Sequence, residues 1–77
     1  MTVRVKFFAS LREQVGCEGA TVEIGESATV ADIWLMASGG RPMPAHTLTS
    51  RNQDYCSLHD RVESGDEIAF FPPVTGG

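Results

Sequence analysis

The fold is decided near the end of the chain, by the stretch GDEIAFFPPVTGG at residues 65–77. Its first two residues are typical of turns, and EIAFF at residues 67–71 is an apolar run of the kind found in strands. Pro72 and Pro73 end that run, because proline has no N–H to donate to a β-sheet ladder. The stretch therefore predicts a turn, a strong last strand and an extended segment beyond it.

The rest of the chain predicts short elements that could share one sheet with that strand. Residues 2–8 alternate between outward and inward side chains, which is typical of a half-buried strand. A short helix is predicted over residues 9–15 and a second strand over 21–24. Residues 41–50 contain two prolines and scattered polar side chains, which favours a loop. One or two weak strands are predicted over 51–57.

The main helix is predicted to begin after Thr29, whose hydroxyl can cap the free N–H groups of the first turn. Asp32 lies three residues later, where an acidic side chain suits the helix dipole. A single apolar stripe follows at helical spacing, formed by Val30, Ile33, Trp34 and Ala37. Trp34 is thus expected in the core, and the helix is expected to end at residues 38–40.

This order of elements indicates an α+β domain with one main helix across a mostly one-sided sheet and a short extra helix. If the first and last strands pair in parallel at the centre, the arrangement is a β-grasp, the mixed sheet of ubiquitin-like proteins. We expect the β-grasp domain to span residues 1–71 and an extended tail to span 72–77.

Composition excludes several classes of function. A chain of 77 residues has room for one domain, and its net charge of −4 makes nucleic acid an improbable partner. No apolar run approaches the ~20 residues that cross a bilayer, and no signal-peptide layout opens the chain, so a cytoplasmic location away from membranes is expected. The cysteines and histidines have no metal-ligand spacing, so no metal site is predicted.

The predicted tail has features that would let its terminal carboxylate take part in a reaction. Two prolines favour an extended exit, and six extended residues reach roughly 20 Å. Gly76 and Gly77 lack Cβ atoms, so they could thread a narrow channel and offer the terminal carboxylate. A carboxylate needs activation, for example as an acyl-adenylate that a sulfur nucleophile converts to a thiocarboxylate or thioester. The chain has no phosphate-binding loop, so the ATP would be bound by a partner.

Two aromatic residues point to a docking surface. Phe8 has the parity opposite to the apolar side chains of the first strand, and Phe71 has the parity opposite to Ile68 and Phe70. Arg12 lies one helical turn beyond Phe8, and arginine with aromatics is typical of interface anchors. Either a partner covers the two rings or a loop of the chain does; we expect a partner.

With these residues assembled, the chain resembles the small, sulfur-carrier subunits of molybdopterin synthase. The similarity rests on VKFFA at residues 5–9, LRE at 11–13, NQ at 52–53 and, above all, residues 65–77. Two features depart from the family pattern. The stretch from Gly39 to Ser50 is richer in Gly and Pro, and Arg51 stands where a small apolar residue is common.

The resemblance implies a non-catalytic sulfur-donor subunit that works in molybdenum cofactor biosynthesis without a permanently bound cofactor. Its partners would be an adenylating enzyme similar to ubiquitin-activating enzymes, which uses ATP, a sulfur-donor system, and the large synthase subunit, with which it forms a heterotetramer. Gly77 would carry the acyl-adenylate and then the thiocarboxylate, and Gly76 would permit threading. Sulfur would pass to cyclic pyranopterin monophosphate. The partner-binding residues would be Phe8, Arg12, Tyr55, Phe71, Pro72, Pro73, Val74 and Thr75.

Three alternatives remain open at this point. A sulfur carrier for thiamine or another thiolation pathway would use the same chemistry, although its start and tail would resemble this sequence less. A ubiquitin-like modifier would instead join Gly77 to lysines of other proteins. An interaction module would use the folded domain alone, with an inert tail.

Overall fold

The computed structural model describes residues 1–73, and its elements follow the predicted order. They are β1 (Thr2–Phe7), α1 (Ser10–Val15), β2 (Gly19–Glu23), α2 (Val30–Ser38), β3 (Leu48–Arg51), β4 (Asp54–Tyr55) and β5 (Glu67–Phe71). The strand order across the sheet is β2-β1-β5-β3-β4. β1 and β5 pair in parallel, and the other neighbours are antiparallel. The predicted α+β class and β-grasp arrangement are confirmed.

The core lies between α2 and the inner face of the sheet. Phe7 from β1 and Phe70 from β5 stack with ring centroids 5.9 Å apart, and both contact Trp34 edge-on. The Trp34 indole N–H donates to the Arg41 carbonyl at 2.7 Å, so this large ring is buried with its polar group satisfied. The expectation that Trp34 belongs to the core is confirmed.

Both ends of α2 are closed by local contacts. Thr29 and Asp32 form a reciprocal capping box, since the Thr29 hydroxyl accepts from the Asp32 N–H and the Asp32 carboxylate accepts from the Thr29 N–H. At the other end Gly39 adopts φ 74°, and its N–H donates to the Leu35 carbonyl. This left-handed cap is the reason the helix stops there.

The loop predicted over residues 41–50 is wrong at its end, because β3 begins at Leu48. The strand has no clear apolar alternation, and it forms because β5 offers a pairing edge, with Leu48 opposite Phe71 and Thr49 opposite Phe70. Thr49 is buried, and its hydroxyl donates to the Cys56 carbonyl at 2.8 Å. Tertiary pairing thus replaces the propensity that favoured a loop.

Candidate partner-docking surface

The outer face of the sheet, on the side away from α2, carries a cluster of three aromatic side chains. Phe8 follows β1, Tyr55 lies in β4 and Phe71 lies in β5. The Phe71 ring lies in the middle, with its centroid 6.4 Å from that of Phe8 and 5.8 Å from that of Tyr55. We call these three residues the aromatic surface.

The pairing of the strands explains why these rings meet. The Phe8 N–H donates to the Phe70 carbonyl at 3.1 Å, which continues the parallel β1–β5 ladder by one residue and sets Phe8 beside Phe71. On the other side, Tyr55 lies opposite Ser50 in the β3–β4 pair. Residues that are opposite in a ladder share a face, so a short edge strand delivers the third ring to the same surface.

The aromatic surface is partly exposed to solvent. Tyr55 is 74% exposed and Phe8 is 43% exposed, while Phe71 is half-buried between them. Adjacent exposed rings are typical of protein–protein interfaces, in which aromatic side chains supply large contact area. The alternative, in which a loop of this chain covers Phe8 and Phe71, is not seen among residues 1–73.

Arg12 extends this surface from α1. Its guanidinium lies 3.6 Å from the carboxylate of Glu18, and both side chains line an open groove of about 610 Å³ beside Phe8. The same groove is bordered by Arg4 and Lys6 of β1, whose side chains point outward. Arg12 was predicted to belong to this surface, whereas Arg4 and Lys6 were not, although their outward parity in the first strand was a usable signal.

The predicted tail begins immediately beyond the aromatic surface. Pro72 and Pro73 follow the end of β5, and Pro73 lines a second groove together with Leu48 and Tyr55. The remaining predicted site residues are Val74, Thr75, Gly76 and Gly77, and they lie outside the described residues. Their roles in threading and acyl transfer stay predictions.

A buried carboxylate secures the start of β5, and sequence reasoning did not identify it. Asp66 accepts from the Arg51 Nε and the Glu63 N–H, each at 2.7 Å, and from the Asn52 side-chain amide at 3.0 Å. Burial raises the pKa of this carboxyl group, but the hydrogen bonds and the Arg51 charge outweigh it, so the pKa lies below its ordinary value. The same hydrogen bond and the charge of Asp66 raise the pKa of Arg51 above its ordinary value.

The Asp66 network accounts for Arg51, which departs from the family pattern. Asn52 completes the connection, because its side-chain oxygen accepts from the Glu67 N–H at 2.9 Å while its own N–H donates to the Glu67 carbonyl at 2.8 Å. The β3–β4 hairpin is thereby fastened to the beginning of β5. This network therefore fixes the hairpin that carries Tyr55 against the strand that carries Phe71.

Comparison with known proteins decides the family. The profile of the ThiS family matches residues 5–77, almost the whole chain. The chain belongs to the ThiS family. The molybdopterin synthase sulfur carrier subunit of Haemophilus influenzae is 36% identical over an alignment that covers 97% of this chain and 99% of the relative. The predicted resemblance to such subunits is confirmed.

A further likeness, in sequence and in structure, is to an archaeal protein. Small archaeal modifier protein 1 of Haloferax volcanii is 32% identical over an alignment that covers 94% of this chain and 97% of the relative. The crystal structure of SAMP1 from Haloferax volcanii superposes with a TM-score of 0.80 at 30% identity and covers both chains completely. The β-grasp fold predicted from the sequence is therefore shared with solved structures.

No helix within residues 1–73 is long and apolar enough to cross a membrane. The same part of the chain brings together no group of three or more His, Cys, Asp or Glu side chains that could hold a metal ion.

Proposed function

We propose that this ThiS-family chain is a sulfur carrier for molybdopterin synthase. The structural observation that supports this most strongly is the aromatic surface, a partly exposed cluster of three rings at the end of the last strand. The near full-length similarity to molybdopterin synthase sulfur carrier subunits supports the same role.

The proposed chemistry takes place at the carboxylate of Gly77. That carboxylate attacks the α-phosphate of ATP in an adenylating partner, forming an acyl-adenylate and releasing pyrophosphate. A sulfur nucleophile from a donor system then displaces AMP and leaves a thiocarboxylate, so one difficult step becomes two easier ones. Two thiocarboxylated chains then each pass one sulfur to cyclic pyranopterin monophosphate in the large synthase subunit, which together form the dithiolene of molybdopterin, and hydrolysis returns each Gly77 to a carboxylate.

The folded domain contributes position rather than catalysis in this scheme. Phe8, Tyr55 and Phe71 dock the chain on the adenylating enzyme and later on the large subunit, with Arg12 at the border of the surface. Because β5 ends at Phe71, a partner bound there is adjacent to the start of the predicted tail. Pro72, Pro73, Val74 and Thr75 would then contact the channel through which Gly76 passes. The proposed assembly with the large subunit is a heterotetramer.

Reconstituted sulfur transfer tests this proposal. The thiocarboxylated chain is mixed with the large subunit and cyclic pyranopterin monophosphate, and molybdopterin formation is measured. Gly76→Val should bind the large subunit normally but transfer sulfur slowly, because a side chain would obstruct threading. Gly25→Val, a change in an open surface turn, is the control and should transfer normally. Full-rate transfer by Gly76→Val would contradict the threading role.

A ubiquitin-like modifier is the second candidate, favoured by the similarity to one relative, Small archaeal modifier protein 1, in sequence and, with a TM-score of 0.80, in structure. The two functions share activation of Gly77 and differ in the acceptor. Mass spectrometry of proteins purified with the chain from its native cells separates them. Isopeptide links from Gly77 to lysines support the modifier, whereas a free thiocarboxylate pool without such links supports the carrier.

A further inference from the structure

Cations are concentrated on the outer face of the sheet. The chain has six Lys and Arg residues against ten Asp and Glu, for a net charge of −4. Three of those six cations, Arg4, Lys6 and Arg12, nevertheless border the groove beside Phe8. The groove thus carries positive charge on a molecule that is negative overall, and it is continuous with the aromatic surface.

The charges at this groove are only partly balanced. Arg4 and Lys6 lie on the same face of β1, and each has its charged nitrogen 3.7 Å from the same oxygen of Glu67. One carboxylate therefore serves two cations, which leaves one positive charge in excess. The side chains of Arg4 and Lys6 are 68% and 53% exposed, so both can reach a further acceptor.

The geometry of Glu67 makes it an internal competitor for these cations. Its side chain is 22% exposed, and its backbone is held by Asn52 through two hydrogen bonds. Glu67 therefore holds Arg4 and Lys6 above the sheet while occupying one of their donor sites. An incoming carboxylate would share the pair with Glu67, as in networks in which several charges surround one site.

We propose that Arg4 and Lys6 extend the aromatic surface as a cation pair that binds a carboxylate side chain of the docking protein. The inference rests on the proposed function, in which the aromatic surface binds the large synthase subunit. A protein carboxylate fits better than a polyanion, because the cation pair is small and the rest of the chain repels a long phosphate backbone. The ligand is therefore a patch of Asp or Glu beside an apolar contact.

The proposal predicts that substitutions within one ion cluster change the association rate in opposite directions. Charge pairs at the border of an interface act mainly on the association rate. Arg4→Gln and Lys6→Gln should each slow association with the purified large subunit several-fold, and the double variant by about tenfold at low ionic strength. Glu67→Gln should accelerate association, because both cations become available. All these differences should fall away in high salt, which screens exposed charges.

Stopped-flow association with the large subunit is the measurement, made on variants whose circular dichroism matches that of the parent chain. Arg41→Gln and Glu26→Gln are matched controls, since they change the charge by the same amount at exposed positions away from the groove. Both controls should leave the rate near that of the parent chain.

Three outcomes would overturn the inference. If Glu67→Gln slows association as much as Lys6→Gln, the cluster only maintains the fold of this face. If Arg41→Gln has the same effect as Lys6→Gln, the response is to net charge. If the Arg4 and Lys6 variants associate normally while Phe71→Ala does not, the cation pair is not used although the docking face is. Normal association by Phe71→Ala as well would instead remove the docking face from the proposed function.

Discussion

At the start of β5, the carboxylate of Asp66 accepts three hydrogen bonds, from Arg51, Asn52 and the Glu63 N–H. Asp66→Asn keeps the shape but removes the charge that Arg51 and the Glu63 N–H bind. We expect a loss of about 1–3 kcal/mol in the free energy of unfolding at pH 7, measured by urea denaturation. Asp54→Asn, at an exposed position in the same hairpin, should change stability little.

The same side chain predicts an acid-sensitive component of stability. The folded state lowers the pKa of Asp66, so the unfolded state takes up the proton first as pH falls. The stabilisation is therefore complete above the ordinary aspartate pKa of about 4 and is lost as pH falls through the folded value. The gap between the parent chain and Asp66→Asn should narrow between pH 7 and pH 3. A constant gap would contradict this assignment.

Gly19 is required for close approach rather than for backbone freedom. A Cβ built there would clash with the Val5 carbonyl oxygen, which belongs to the backbone of the neighbouring strand and not to a flexible side chain. Gly19→Ala should therefore destabilise the chain by about 1–3 kcal/mol in urea denaturation. Gly25→Ala, which would meet nothing within 4 Å, is the control. Equal stability of the two variants would show that β2 can shift outward without cost.

At the scale of elements, the β3–β4 hairpin depends on an unusual turn. Asn52 and Gln53 have φ values of 52° and 74°, as in the primed turns that suit a two-residue hairpin loop. Glutamine is strained in this region, whereas glycine is not. Gln53→Gly should raise stability by about 0.5–1 kcal/mol and increase Tm in a thermal melt. Gln53→Ala keeps the strain and should give no increase; a similar gain there would implicate the side chain instead.

The elements differ in how well the sequence predicts them. β1, α2 and β5 have strong periodicity and clear ends, from the alternation of residues 2–8 to the Thr29 cap and the two prolines. β3 and β4 have neither. Their pairing depends on Leu48 meeting Phe71 and on Asn52 contacting Glu67, which are distant in sequence. Local propensity does not depend on such contacts, so the sequence predicts a loop where β3 begins at Leu48.

At the scale of the whole molecule, the sheet has two faces with different roles. α2 covers one face, and the other carries the aromatic surface. The two-residue periodicity of a β-strand predicts that Phe8 and Phe71 lie on that outer face. The contact between Phe71 and Tyr55 was not predictable, because it depends on the β3–β4 hairpin. The charged groove was not predictable either, because it depends on the β1–β2 and β1–β5 registers, which bring Glu67 beside Arg4.

The two faces give a direct test of docking. Phe71→Ala should weaken binding to the large subunit by about 1–3 kcal/mol, as for an aromatic anchor at the centre of an interface. Leu35→Ala is the matched control, since Leu35 is 52% exposed on α2 and thus on the opposite side of the domain. Isothermal titration calorimetry measures both. Equal affinities would contradict the assignment of the docking face.

The central claim, that the chain is a sulfur carrier, is tested most directly by intact mass spectrometry. The chain is incubated with ATP, sulfide and an adenylating enzyme shown to be active, and a chain lacking Gly77 is the control. A sulfur carrier should show a mass shift equal to one oxygen replaced by sulfur, located at Gly77 by fragmentation and absent from the control. An unshifted parent chain would contradict the carrier function.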